Sequence, residues 1–274
     1  GATYANHNRH HYGYHYPRSP RTARQCINSA KEFETHYNDS IVSNFNNYYC
    51  ISKDNTKTTS EEYKIFCENV GLPYIEEWLD KDTINHSKID LCLNVKEHVY
   101  DHKILKKLVN KRLNQTSTVK IKLNSTVISG DLNNKGDKIL TVKENGVNTK
   151  YAFDVVVNAM YANYNKFCDW FNLDLMKLQF NLQELCVIEL PIDKRLGITI
   201  QDGPFPSFIP FGNSNRYLLA HVETSQLIRE ISTGTLPLIQ RLNYIESNWN
   251  ETINTCAEYI PLLNMKKYIK SIFV

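Results

Sequence analysis

No apolar run in this 274-residue chain approaches the ~18 residues that a membrane-spanning helix needs, and no charged-then-apolar leader stands at its front. It therefore reads as soluble, with no membrane partner. Its ten glycines never fall as GxG, none opens a strand-to-helix turn, and GxxxxGK[ST] is absent. Within these residues there is thus neither a dinucleotide fingerprint nor a P-loop. The seven cysteines are odd in number, scattered singly and without CxxC, which argues against a disulfide framework or a zinc site and for reduced thiols in a cytoplasm. GxSxG is missing, and no cysteine has the setting of a nucleophile. A net charge of +3 is too small to imply nucleic acid, and the Arg9, Arg18, Arg21 and Arg24 run alone does not change that. With 42% hydrophobic and 22% charged residues, the chain is globular, one large or two ordinary domains.

What stands out is the opening run, GATYANHNRHHYGYHYPRSPRTAR, from Gly1 to Arg24. If it is extended, Tyr12, Tyr14 and Tyr16 fall on one face, and His11, Gly13 and His15 on the other. Such a ribbon suits a flat, electron-accepting ring. Backbone can come close at Gly13, the aromatic and imidazole side chains can flank the ring, and Arg9 can offset negative charge on it. The alternative reading is a tyrosine-rich strand packed in a core, with histidines at the surface. His7, His10, His11 and His15 also invite a metal, but no acidic residue lies within the run to orient them, and none is expected.

Downstream, Ser19-Pro20 predicts a helix start, with Ser19 as cap, running to about Tyr37. Residues 44–52 read as a strand. Thr59-Ser60-Glu61-Glu62 has the capping-box pattern for a helix stopped by Gly71. Residues 90–99 read as extended, and Asp101 caps a helix with Lys103, Lys106, Lys107, Lys111 and Arg112 on its polar face. Val119, Ile121 and Leu123 alternate as a strand, Asn145-Gly146 marks a hairpin, and residues 154–159 carry a β-branched run suited to a strand buried on both faces. Short strands at 185–190, 197–201 and 217–222, separated by tight turns, predict an antiparallel sheet. A helix is expected over 238–257, and the chain ends on strand-like Ser271 to Val274.

The stretch GATYANHNRHHYGYHYPRS closely resembles the segment that follows the first nucleotide-binding unit in FAD-dependent oxidoreductases of the D-amino-acid-oxidase-like (DAO) superfamily, in the branch with a GASYAN…R.H.GYHYPRS loop. The NAMYAN block and ITIQDGPFPSFIPFGNSNRYLLAHV resemble later parts of the same superfamily. The resemblance implies an α/β (α+β) architecture: an incomplete FAD/NAD(P)-binding-like flavin domain interleaved with an antiparallel-sheet substrate domain. It implies a flavin-proximal part over 1–40, substrate-domain parts over 41–96 and 166–274, and an adenine-side part over 97–165. FAD would be the cofactor, contacted by Ala2, Thr3, Asn6, Arg9, Gly13, Val127, Asn158 and Ala159. His11, Tyr14 and His15 would line the reactive face, and Arg18 would anchor a small substrate through an anionic group. The implied reaction is hydride removal from a C–H next to an amine or hydroxyl. The glycine-rich unit would precede Gly1 and a second glycine-rich segment would follow Val274, so the sequence reads as the middle of a flavoenzyme. The rival expectation is a non-catalytic α/β binding remnant that has lost its cofactor site.

Overall fold

The computed structural model describes residues 3–234 and 245–274. In chain order the elements are β1 (Arg9–His10), α1 (Pro20–Tyr37), β2 (Ile41–Val42), β3 (Asn46–Ser52), α2 (Ser60–Val70), β4 (Tyr74–Glu76), β5 (Ile89–Val95), β6 (His98–Tyr100) and α3 (His102–Asn114). Next come β7 (Ser125–Leu132), β8 (Lys138–Glu144), β9 (Val147–Phe153), α4 (Tyr164–Trp170) and β10 (Leu178–Glu189). Then follow β11 (Leu196–Gln201), β12 (Pro206–Pro210), β13 (Arg216–His221), β14 (Gln226–Ser232), α5 (Trp249–Ala257) and β15 (Lys267–Phe273). The result is a mixed α/β architecture with several sheets, as expected. Two compact units emerge, one of Gly1–Gln115, Gln183–Leu227 and Glu246–Val274, the other of Thr116–Leu182 and Ile228–Ile245. These units follow other boundaries than the four functional segments drawn from the sequence.

Local chemistry explains the helices of the first unit. Thr59 accepts the Glu62 N–H while the Glu62 carboxylate accepts the Thr59 N–H, so both orphan donors at the start of α2 are satisfied. Gly71 closes the helix in the left-handed conformation, φ 76°. Asp101 caps α3 by accepting from Lys103 and Ile104 N–H. Ser19 departs from expectation: its hydroxyl meets that of Thr22 at 2.7 Å instead of capping an amide.

The main sheet of this unit runs β10-β13-β12-β11-β3-β5-β4, with β15 also paired to β10. All described pairings along it are antiparallel except β11 on β3. Side-chain alternation divides its two faces. Tyr48 and Cys50 of β3, Cys92 of β5, Ile198 and Ile200 of β11, and Cys186 and Ile188 of β10 enter one core with Ile253 and Cys256 of α5. On the opposite face, Tyr49, Ile51, Leu91 and Leu93 pack with Tyr63 and Phe66 of α2 and Ala23 of α1. Further along that face Val187, Ile209 and Leu218 form a third cluster. Cys50 and Cys92 are direct cross-strand partners with their sulfurs 3.1 Å apart.

The opening run is not the extended ribbon its alternation suggests. Only Arg9–His10 forms a strand, pairing antiparallel with β6, and Tyr16 N–H then turns back onto Gly13 carbonyl. Gly13 adopts φ +107°, and a Cβ there would sit 2.8 Å from Ala23 O and 2.9 Å from Ala23 Cα. The close approach that the missing side chain of Gly13 permits is therefore to helix α1.

In the second unit β7, β8 and β9 form a meander whose Asn145-Gly146 turn is the expected hairpin. Two expectations fail here. Residues 119–123 and 154–159 are irregular and unpaired, with Leu123 and Val157 exposed. β-branched residues favour a strand only where a neighbour supplies the ladder, and no strand among the described residues does so. Of the helix expected over 238–257, Trp249–Ala257 is observed, and residues 238–244 lie outside the described residues.

Replacing Gly13 by Ala should destabilise the first unit by about 3 kcal/mol, combining a left-handed backbone with a methyl forced onto Ala23. Urea unfolding of the two proteins measures this, and an unchanged midpoint would contradict the packing of the opening run on α1.

Candidate functional site

Strand register builds the site. Thr199 of β11 is the Cα partner of Tyr49 on β3 and of Ser207 on β12, so three polar side chains stand in a row across three adjacent strands. They occupy the face that carries the second and third apolar clusters. A hydroxyl row between two apolar patches needs partners, and the opening run supplies them.

Arg9 lies over this row. Its Nη1 donates to Tyr49 Oη at 3.2 Å, and its Nη2 to Thr199 Oγ1 at 2.6 Å and to Ser207 Oγ. Its charge is balanced by Glu97, 3.6 Å from Nη1, with the two side chains 4% and 0% exposed. Glu97 sits just ahead of β6 and also accepts the Tyr49 hydroxyl and the Tyr12 N–H. Burial by itself would raise the Glu97 carboxyl. His11, Arg9 and Tyr49 more than reverse this and hold it at about 2. Tyr49, in turn, is pushed up by burial and stays a neutral donor.

Three imidazoles gather beside this pair. His11 Nδ1 is 3.8 Å from Glu97 Oε2, the His11 and His15 ring centres are 6.0 Å apart, and Gln201 Nε2 is 3.3 Å from His15 Nδ1. Desolvation, with Arg9 second, lowers His7 to about 3 and His15 to about 4. His15 is nevertheless exposed and His7 only half-buried. Both rings are desolvated among Arg9, His11 and one another. At neutral pH, His7 and His15 are therefore uncharged donors or acceptors.

The opening run thus brings Arg9, His11 and His15 together, but it separates Tyr14 from them. Tyr14 is fully buried, donates its hydroxyl to Pro73 O at 2.5 Å and packs on the Tyr49 ring, so it is a core residue and does not line a reactive face. Arg18 is 62% exposed and bound through Nε to Asp202 at 2.8 and 3.0 Å. Asn6 accepts the Asn8 N–H at 2.6 Å, Thr3 is exposed, and Ala2 lies outside the described residues. In the second unit, Val127 is half-buried in the meander and Ala159 is exposed. Asn158 donates to Tyr164 O at 3.1 Å and accepts the Met160 N–H. Among the described residues, no group of three or more His, Cys, Asp or Glu is placed to hold a metal ion. Glu97, Tyr49, Thr199 and Ser207 had no motif to mark them; the one signal was a lone acid, Glu97, between two apolar strands.

The architecture has counterparts among solved structures. Glycine oxidase from Geobacillus kaustophilus aligns at a TM-score of 0.66 and 14% identity over 100% of this chain and 72% of its own. Iminodiacetate oxidase from Chelativorans sp. BNC1 aligns at 0.66 and 10% identity, over 99% and 73%. Dithionite-reduced L-α-glycerophosphate oxidase from Mycoplasma pneumoniae, with FAD bound, aligns at 0.66 and 12% identity, over 99% and 71%. The chain has a DAO-like oxidase fold. The fold resemblance drawn from the opening run is thereby borne out. No protein-family model matches the sequence, and no curated protein matches it. Among the described residues no helix of this DAO-like fold is long and apolar enough to cross a membrane.

The buried charges set the acid response. Glu97, His7 and His15 are all lowered on folding, so below their ordinary values of 4.5 and 6.5 the unfolded chain binds more protons than the folded one. Stability should therefore be fully present above about pH 6.5 and fall as pH drops through the histidine and then the Glu97 range. Urea midpoints measured from pH 7.5 to pH 3 should fall steadily, and less steeply at the upper end in His7→Gln. A flat profile would show that the fold does not desolvate these groups. Glu97→Ala, which strands the buried Arg9 charge, should cost about 3–5 kcal/mol at pH 7.

Proposed function

We propose that this chain supplies the ring-side and substrate-side part of an FAD-dependent oxidoreductase that removes hydride from a C–H next to an amine or hydroxyl. The observation that carries the reading is the cluster itself: uncharged His7 and His15 beside a buried, charge-balanced Arg9–Glu97 pair, within a DAO-like fold. Buried polar atoms beside it lack a hydrogen-bond partner inside the protein, namely His7 Nε2 and both side-chain amide atoms of Asn8. Buried orphans of this kind suit the polar edge of a bound ring, so these residues fit the flavin.

When bound, the flavin supplies hydride acceptance. The chain's own residues do the rest. His7 and Asn8 would hold the ring's polar edge, while Arg9 keeps the potential near it positive without adding net charge, because Glu97 offsets it. His11 and His15 exchange a proton with the substrate's amine or hydroxyl. Arg18, steadied through Nε by Asp202, anchors an anionic substrate group. Thr3 and Asn6 with Ala2, and Val127, Asn158 and Ala159, stay assigned to the cofactor by the resemblance alone.

A second reading, a non-catalytic remnant, has one observation in its favour: the absence of any glycine-rich turn from these residues. A titration with FAD separates the two. Bound flavin should survive gel filtration, and at free FAD 100 times the dissociation constant it should stabilise the protein by about 2.7 kcal/mol, seen as a raised Tm. No bound flavin and no thermal shift would leave the remnant reading standing.

A further inference from the structure

The imidazole at His11 has an unusual pair of edges. Nδ1 is buried, with no hydrogen-bond partner inside its normal reach, although the side chain as a whole is 35% exposed. The exposed part of the ring lies away from Nδ1, and Nε2 is not among the buried, unpartnered atoms. The carboxylate nearest to the buried edge is Glu97, with Oε2 3.8 Å from Nδ1. This is the separation of a contact that has not yet closed, and such bonds shorten when the site is filled.

The backbone explains why these two groups face each other. β1 and β6 pair Arg9 with Val99 and His10 with His98. The next step of that antiparallel register sets His11 opposite Glu97, and the Tyr12 N–H bond to Glu97 Oε2 at 3.0 Å continues the ladder through the side chain. Glu97 cannot easily move away. Tyr49 and Arg9 hold its other oxygen, and the carboxylate is wholly buried.

We infer that Glu97 is a positioning residue that keeps His11 in the tautomer with hydrogen on Nδ1, leaving Nε2 as the proton-accepting atom that faces the substrate. The inference rests on the oxidoreductase reading above and names the atom that takes the substrate's proton. The substrate carries an O–H or N–H on the carbon that is oxidised. As that carbon's C–H bond breaks and its electron pair leaves with hydrogen as hydride to the cofactor, the O–H or N–H bond also breaks. Its electrons become the second bond of C=O or C=N, and its proton goes to His11 Nε2. A carboxylate behind an imidazole stabilises the imidazolium so formed without itself taking the proton. Glu97 is suited to that part because it stays ionised at any working pH.

The experiment uses the full chain labelled with ¹⁵N-histidine. Long-range ¹H–¹⁵N correlation reports which nitrogen of each ring carries hydrogen, and His11→Asn assigns the signal. The expected result is a His11 ring with hydrogen on Nδ1 in the unaltered protein and a mixed population in Glu97→Gln. Diethyl pyrocarbonate should modify His11, located by peptide mapping, about tenfold more slowly in Glu97→Gln, the size of effect typical of losing an orienting partner. Hydrogen on Nε2 in the unaltered protein overturns the inference, and this readout does not depend on Glu97→Gln folding. A tautomer or modification rate unmoved in a folded Glu97→Gln protein also overturns it. FAD binding is scored separately on the same samples, so failure of the oxidoreductase reading is distinguishable from failure of the Glu97–His11 relation.

Discussion

A buried guanidinium facing a buried carboxylate holds the first unit together at its most demanding point. Taking either charge out of water costs several kcal/mol, and neither ion could remain alone in this interior. Arg9 is tolerated because Tyr49, Thr199 and Ser207 accept its hydrogens and Glu97 balances its charge. Glu97 is tolerated because Tyr49 and the Tyr12 amide donate to it. Each partner lies on a different stretch of chain, so the pair ties the opening run, β3, β11, β12 and the start of β6 into one arrangement.

That tie creates the conditions for chemistry. Imidazoles placed over a charge-balanced pair feel desolvation and the nearer positive end, so His7 and His15 are neutral where free histidine would be partly charged. Neutral rings with unpaired nitrogens accept or donate single hydrogen bonds without demanding a counter-ion. The burial of the Glu97 carboxylate makes it an effective orienting group for His11. Structural and functional demands converge on the same few atoms.

Local chemistry made much of this legible beforehand. The capping box at Thr59–Glu62, the Asp101 cap and the Asn145-Gly146 turn form as read, because each is settled by neighbours within a few residues. That Arg9, His11 and His15 lie near one another could also be read from their density in one run. Tyr14 and Gly13 could not be separated from them, because whether an aromatic ring faces a cofactor or a core depends on α1 and α2, which approach from elsewhere in the chain. The runs at 119–123 and 154–159 misled because β-branched composition describes a strand's preference, while a strand also needs a neighbour.

The sequence by itself determined the caps at Thr59 and Asp101, the Asn145-Gly146 turn, the resemblance of the opening run to a DAO-like fold and the supply of imidazoles near Arg9. Only the tertiary structure decided that Glu97 is their counterpart and that Tyr49, Thr199 and Ser207 form one row. The reason is physical. Caps and turns are closed by bonds a few residues long, whereas this row depends on the register of strands separated by about 150 residues in the chain, and no local pattern encodes a register.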